Sequence, residues 1–230
     1  MRAAVLYKAD QPLQIENLTQ GHPGSGEVKL KMVTTGICGS DSHVSTGRIR
    51  MNMPVILGHE GSGIVVEIGQ NVTNVKPGDN CILSFVSSCG HCSHCLSGNG
   101  QLCATHAKTQ NRFANNTTRC IDKKGNQIEQ MGKLGLFSDH VIVQQECCFP
   151  VNNLPMDVAA LIGCCVTSGI GAVINNPASK AGMQIAVFGC GGIGLNVIQG
   201  ARLLNAKRII AFDISDQKLE FSRNFGATDV

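Results

Sequence analysis

Four cysteines constrain this chain more than any other feature. Cys89, Cys92, Cys95 and Cys103 stand as C-x2-C-x2-C-x7-C within SCGHCSHCLSGNGQLC. Soft thiolates at that spacing can close around one tetrahedral ion, and zinc in an all-cysteine site supports folding rather than catalysis. The Gly and Ser residues between them let the backbone wrap tightly. An iron–sulfur cluster is disfavoured, because the bacterial ferredoxin run has about three residues and then Cys-Pro after its third cysteine. Here the gap is longer and Ala104 follows Cys103. The other alternative is a chance group of unrelated thiols. His91 and His94 lie inside the loop and read as exposed bystanders rather than ligands.

Composition removes several function classes. A chain of 230 residues can bury a substantial core in one or two domains. Its 19 Lys and Arg against 16 Asp and Glu give a net charge of only +3, with no basic block, which argues against a nucleic-acid partner. With one Tyr and no Trp, base-stacking platforms are also unsupported. The N-terminal MRAAVLYKADQPL has no sustained apolar stretch and no cleavage site, and no run reaches the roughly 20 apolar residues of a membrane span. Twelve cysteines without a secretion signal point to metal binding rather than disulfides, and so to the cytoplasm.

The texture changes near residue 150. Before it, short β-like runs such as Val28–Val33, Gly63–Ile68 and His140–Val143 alternate with Gly, Pro and Asn, as in a compact β domain. Lys76-Pro77-Gly78-Asp79 reads as a turn into a strand over Asn80–Phe85. Residues 104–135 are polar and weakly patterned and read as a long surface lobe. After Val151, Asp157–Leu161 and Val166–Ile174 read as helices. A strand over Gln184–Phe188 runs into Gly189-Cys190-Gly191-Gly192-Ile193-Gly194, a helix follows, and a second strand, Arg208–Phe212, ends at Asp213. A third helix starts after the N-cap Ser215 and stops near Gly226.

G-x-G-x-x-G alone is weak evidence; between a strand and a helix, with an acid ending the next strand, it is strong. Gly189 permits the tight turn, Gly191 lets a pyrophosphate approach, and Gly194 lets helix and strand pack. The helix N-terminus offers free N–H groups to phosphate. Asp213 can accept hydrogen bonds from both adenosine ribose hydroxyls and would repel a 2′-phosphate, so NAD is expected over NADP. Lys218 is the nearby basic residue that would soften that choice, and Gly192 belongs to the same turn.

A second metal set is suggested by three fragments: GICGSDSH around Cys38, GHE around His59 and LIGC ending at Cys164. Cys, His and Cys can supply three zinc ligands and leave a fourth position open, as in a Lewis-acid site. Read singly, a buried Cys is a small hydrophobe and a lone His a core or surface residue, so spacing alone leaves both readings standing.

With these fragments in order, the chain resembles the zinc-dependent alcohol dehydrogenases of the medium-chain dehydrogenase/reductase superfamily. The resemblance rests on GICGSDSH, PVILGHEGSGIVVEIGQNVTNVKPGD, the four-cysteine loop, LIGCCVTSGIGAV and VFGCGGIGLNVIQGARLLNAKRIIAFD, and covers nearly the whole chain. It implies a GroES-like β-rich catalytic domain over 1–150, with a structural zinc lobe at about 86–106. Linker helices and the first part of a Rossmann domain would occupy 151–230. It implies two zinc ions and NAD: Cys38, His59 and Cys164 on the catalytic ion, and Cys89, Cys92, Cys95 and Cys103 on the structural one. Glu60 would sit behind the catalytic metal, and Asp41 would orient His59. Ser40 would take the alcohol proton and His43 pass it on. Phe85 would line the substrate wall and Thr167 the nicotinamide.

The implied reaction is reversible hydride transfer between an alcohol and NAD, giving an aldehyde or ketone. The alternatives are a non-catalytic zinc-binding fragment and a polyol dehydrogenase; that branch commonly lacks a cysteine at the Cys164 position. Primary, aromatic and glutathione-linked alcohols all remain open, with His43 leaning slightly toward the ordinary alcohol branch. Full-length relatives continue beyond the position of Val230, where a third Rossmann strand should begin. The resemblance therefore implies a homo-oligomer, dimer or tetramer, for the full-length form, and an unstable or inactive shorter chain. Gly39 replaces a basic residue that some relatives place near the pyrophosphate.

Overall fold

The computed structural model describes residues 1–107 and 117–230, with the side chains of His106 and Ala107 left undescribed. The backbone divides into two compact units, Met1–Gly163 and Cys164–Val230.

The first unit is built on two sheets. Its strands are β1 (Arg2–Leu6), β2 (Gln14–Asn17), β3 (Thr19–Gln20), β4 (Glu27–Thr35), β5 (Val55–Ile56) and β6 (Glu60–Ile68). The series continues with β7 (Asn80–Ser84), β8 (Cys120–Ile121), β9 (Gln127–Gln130), β10 (His140–Gln144) and β11 (Cys148–Pro150). Among the described residues one sheet runs β2-β1-β5-β9-β8-β3 and the other β10-β4-β6-β7-β11. In the second sheet every neighbouring pair is antiparallel. Val28, Leu30, Val65, Leu83, Val141 and Val143 fill its core, where alternate side chains of each strand meet. The close approach of β4 and β6 needs Gly63, because a Cβ there would lie 2.9 Å from the Lys31 carbonyl oxygen. The turn before β7 forms as expected: Gly78 has φ +95°, and Asp79 Oδ2 accepts the Lys76 N–H at 2.9 Å.

Among the described residues this unit also holds the short helices α1 (Gly39–Ser45), α2 (Ser93–Leu96), α3 (Ala104–Ala107) and α4 (Met156–Ala160). Ser62 Oγ donates to the Met156 carbonyl at 2.6 Å, and Ala159 and Ala160 are buried. By compactness the segment through Gly163 groups with the β-rich unit.

The surface lobe expected over 104–135 falls partly on residues 108–116, outside the described residues. Over 117–135 the structure corrects it. Strands β8 and β9 pair there, and Cys120, Ile128 and Leu134 are fully buried. The sequence looked polar because Glu129 and Gln130 are buried too. Gln130 is satisfied inside: it accepts the Arg119 N–H at 3.1 Å and donates to the Leu134 carbonyl at 3.0 Å.

The second unit holds α5 (Thr167–Ile174), β12 (Gln184–Phe188), α6 (Gly192–Leu203), β13 (Arg208–Phe212) and α7 (Asp216–Arg223). A single π turn, Ile162–Val166, precedes α5. Strands β12 and β13 pair in parallel, from Gln184 opposite Arg208 to Phe188 opposite Phe212. Val187, Ile209 and Ala211 pack with Ile198 and Ala201 of α6, the strand–helix–strand unit expected of a parallel sheet. After α7 the backbone turns at Gly226, φ +118°. Asp229 then forms a parallel bridge beside Ile210 and is gripped by both arms of Arg208, at 2.8 and 2.6 Å. Among the described residues no helix is long and apolar enough to cross a membrane.

Candidate metal centres and glycine turn

The first centre grows from the start of α1. Cys38 is the N-cap residue of that helix, and Asp41, one turn on, reaches back to it. Asp41 is only 2% exposed. Its Oδ2 accepts the Cys38 N–H at 2.9 Å and its Oδ1 the Gly58 N–H at 2.9 Å. The same Oδ1 faces His59 Nδ1 at 3.3 Å. Burial alone would raise the Asp41 pKa. The hydrogen bonds from His59, Cys38 and Gly58 outweigh it and hold the carboxyl below its usual value. One buried carboxylate thus ties α1 to the segment before β6 and faces the His59 ring on its Nδ1 side.

Around it, ligand atoms of Cys38, His59 and Glu60 lie within 4.8 Å of one another. His59 and Glu60 are each 3% exposed. The Cys38 thiol is opposed by burial, yet hydrogen bonds from Ser40 and His59 bring its pKa below the ordinary value. Ser40 Oγ sits 3.3 Å from Cys38 Sγ. His43 follows on the same face of α1 and is exposed. Phe85 stands edge-on to the His59 ring, 5.2 Å between centroids. Cys164 opens the second unit, one peptide bond beyond Gly163. Gly163 is itself anchored on β7: its carbonyl accepts from Ser84 Oγ at 3.2 Å, and a Cβ there would strike the Leu83 carbonyl oxygen at 1.9 Å.

The second centre is local. The sulfurs of Cys89, Cys92, Cys95 and Cys103 all lie within 4.8 Å of one another. A tetrahedron with zinc–sulfur bonds of about 2.3 Å has edges of about 3.8 Å. Cys89 and Cys95 are 3.9 Å apart and Cys92 and Cys95 3.5 Å, so the donor set fits that ion. The hydrogen bond from Thr105 Oγ1 leads in lowering the Cys89 pKa to about 5, while burial leads in raising that of Cys95 to about 11. His91 turns its Nδ1 to the Cys89 carbonyl at 2.7 Å and His94 is exposed; the four-sulfur group includes neither.

Sequence reasoning passed over Lys133. It is 1% exposed and has φ +64°. Burial pushes its pKa down, while Cys147, Cys103 and Glu146 act to raise it. A polar residue after a glycine gave no pattern that would have found it.

In the second unit the glycines have the anticipated geometry. Gly189 adopts φ +95°. A Cβ on Gly194 would fall 1.7 Å from the Gly189 carbonyl oxygen, so only glycine lets α6 start there, and nothing lies within 4 Å of the Gly191 Cβ position. That space is what a bound pyrophosphate requires. Gly191 is the N-cap of α6 and Gly192 its first residue. Asn196 Nδ2 donates to the Gly192 carbonyl at 2.9 Å. Asp213 ends β13, and Lys218 is near enough to lower its pKa slightly after the stronger pull of backbone N–H groups. Thr167 Oγ1 donates to the Cys164 carbonyl at 3.2 Å.

Comparison with known proteins gives a consistent picture. A family profile described as "Alcohol dehydrogenase GroES-like domain" matches residues 24–153, more than half of the chain. The chain is 39% identical over 231 residues to an S-(hydroxymethyl)glutathione dehydrogenase of Saccharomyces cerevisiae, spanning 99% of this chain and 60% of that protein. It is 40% identical over 232 residues to the protein of the same name from Escherichia coli O1:K1 / APEC, spanning 99% of this chain and 63% of that one. Among solved structures, an alcohol dehydrogenase zinc-binding domain protein from Burkholderia ambifaria superposes with a TM-score of 0.92 at 31% identity, over 99% of this chain and 62% of that one. Benzyl alcohol dehydrogenase from Acinetobacter calcoaceticus gives 0.87 at 29% identity, over 100% of this chain and 62% of that one. The chain thus spans between 60% and 63% of the length of these curated relatives.

Proposed function

The chain belongs to the family that carries the alcohol dehydrogenase GroES-like domain, and from that premise we propose that it carries the metal and cofactor sites of a zinc- and NAD-dependent alcohol dehydrogenase. The reaction is reversible hydride transfer between an alcohol and NAD. The observation that carries this reading is the buried His59 beside the half-buried Cys38, with Asp41 behind them, held at 2.9 Å by two backbone N–H groups. Such backing is what a histidine ligand needs and what a chance core histidine does not. Cys164 would be the third ligand, as the family resemblance implies, and Glu60 lies beside Cys38 and His59.

When bound, zinc supplies a Lewis acid for the alcohol oxygen and the nicotinamide accepts the hydride. The remaining work belongs to the protein's own groups. Ser40 Oγ takes the alcohol proton, and His43, exposed on the same helix face, hands it to solvent. Phe85, fixed against His59, gives the pocket an apolar wall that keeps water from the reacting oxygen. Thr167 has its hydroxyl occupied by the Cys164 carbonyl, which leaves its methyl to pack on the nicotinamide. The free N–H groups at Gly191 and Gly192 receive the pyrophosphate. Asp213 takes the adenosine ribose, and its negative charge disfavours a 2′-phosphate. The sulfurs of Cys89, Cys92, Cys95 and Cys103 would hold a second zinc whose task is structural.

The relatives' names support a second choice of substrate, an S-hydroxymethyl adduct of glutathione, against the slight lean of His43 toward simple alcohols. Thiol-rich metal binding supports a cytoplasmic setting, and the resemblance supports a homo-oligomer for the longer form. NAD-dependent turnover with a panel of simple alcohols and with S-hydroxymethylglutathione, alongside a zinc count, tests the proposal. Turnover with two zinc ions per chain supports it. Zinc without turnover on any alcohol favours the non-catalytic fragment instead.

A further inference from the structure

Asp213 makes two bonds that the ribose role does not require. Its Oδ2 accepts the Cys190 N–H at 2.7 Å, inside the glycine turn, and its Oδ1 accepts the Ser215 N–H at 3.0 Å, at the N-cap of α7. The two amides belong to different strand–helix connections. Cys190 follows β12, Ser215 follows β13, and the carboxylate bridges them. The Gly189 N–H, donating to the Phe212 carbonyl at 2.7 Å, makes a second tie at the same level, so the turn is fastened to the end of β13 through consecutive amides.

We infer that Asp213 is a positioning residue for the pyrophosphate cradle, acting through the Cys190 amide, in addition to any contact with ribose. The inference rests on the dinucleotide reading above. A backbone N–H bonded to a carboxylate is strongly oriented. Cys190 lies between Gly189 and Gly191, two residues whose lack of Cβ leaves their backbone free to move. The Cys190 thiol also reaches the Phe212 carbonyl at 3.8 Å and Asn196 holds the Gly192 carbonyl at 2.9 Å, but the Asp213 carboxylate is the charged group that orients a backbone N–H of the turn itself. Each carboxylate oxygen has a second lone pair, so the tether and the ribose hydroxyls can be served together. Asparagine cannot do the same. It has one accepting oxygen, and its amide nitrogen would oppose either the Cys190 or the Ser215 N–H.

The test separates tether from ribose acceptor by using two ligands and one ligand-free readout. NAD and its analogue lacking the 2′- and 3′-hydroxyls of the adenosine ribose are titrated against the chain and against Asp213→Asn. The tether predicts that the variant loses affinity for the analogue tenfold or more, and for NAD by at least as much, since NAD loses the ribose contact as well. It also predicts amide exchange at least tenfold faster at Cys190 and Ser215, with the Gly189 amide as a neighbouring reference. A loss confined to NAD, with the analogue bound equally by both proteins and exchange at Cys190 unchanged, overturns the inference. If Asp213→Asn melts, Asp213→Glu carries the same comparison, because it keeps the charge and ribose acceptors but its longer arm overshoots Cys190. Equal analogue binding by that variant overturns the tether as well. If the unaltered chain binds neither ligand, the NAD reading fails, and the exchange rates still decide the tether.

Discussion

Asp41→Asn is the substitution that most sharply probes the first metal centre. The side chain keeps its shape and loses half of its accepting capacity. In the parent, two backbone N–H groups and one imidazole converge on a carboxylate that is 2% exposed. After substitution the amide nitrogen faces at least one donor, the Cys38 or the Gly58 N–H. Leaving one buried donor unmatched costs about 1–3 kcal/mol, against a typical domain stability of about 5–15 kcal/mol. The loss of the carboxylate beside His59 lowers metal affinity by about 10–100-fold, as for other residues behind a histidine ligand. Urea unfolding followed by far-UV dichroism reads the first effect. Zinc retention against a chelator of known affinity reads the second. One of two zinc ions should leave about 10–100-fold more readily, while the Cys89–Cys103 ion keeps its affinity. If Asp41→Asn holds both ions as tightly as the parent, Asp41 does not orient His59 and the ligand reading of that histidine is wrong.

Other outcomes follow from single residues. Cys38→Ser or His59→Ala should remove one zinc per chain and abolish turnover, with the four-cysteine ion retained; loss of both ions by elemental analysis would contradict two independent centres. Gly194→Ala places a methyl 1.7 Å from the Gly189 carbonyl oxygen and should destabilise the second unit by about 3 kcal/mol or more, as for other overpacked sites, seen as a lowered melting temperature and weaker NAD binding. Asp229 is lowered to about 2, first by the hydrogen bond from Arg208. A depressed carboxylate contributes its stabilisation above its unfolded value and loses it as pH falls through the folded one. Carbon-detected NMR should therefore show Asp229 titrating near 2 and moving upward in Arg208→Met, with the Thr228 hydroxyl still holding it down in part; an unmoved midpoint would remove Arg208 as the main cause.

Local features were legible in the chain and distant ones were not. β12 and β13 were readable to the residue, because short apolar runs flanked by Gly and Asp have few other ways to fold. The four-cysteine loop was readable because its ligands are close in sequence and its spacing is itself the geometry. Cys38 and His59 come from separate segments, so their approach depends on sheet pairing that no spacing records. The bonds from Asp41 to the Cys38 and Gly58 amides were invisible, since backbone donors carry no sequence signal. Residues 117–135 were misread because their buried polar side chains, Glu129 and Gln130, look like surface. Lys133 was missed for the same reason: burial of a charged side chain is a tertiary fact.

X-ray absorption at the zinc edge of the purified chain, with a metal count, tests the central claim most directly. The account predicts two zinc ions per chain. One should have four sulfur neighbours at about 2.3 Å, and the other two sulfurs at that distance with a nitrogen at about 2.0–2.1 Å and an open or oxygen-filled position. A single ion with sulfur neighbours alone would contradict it, because Cys38, His59 and Cys164 would then hold no metal.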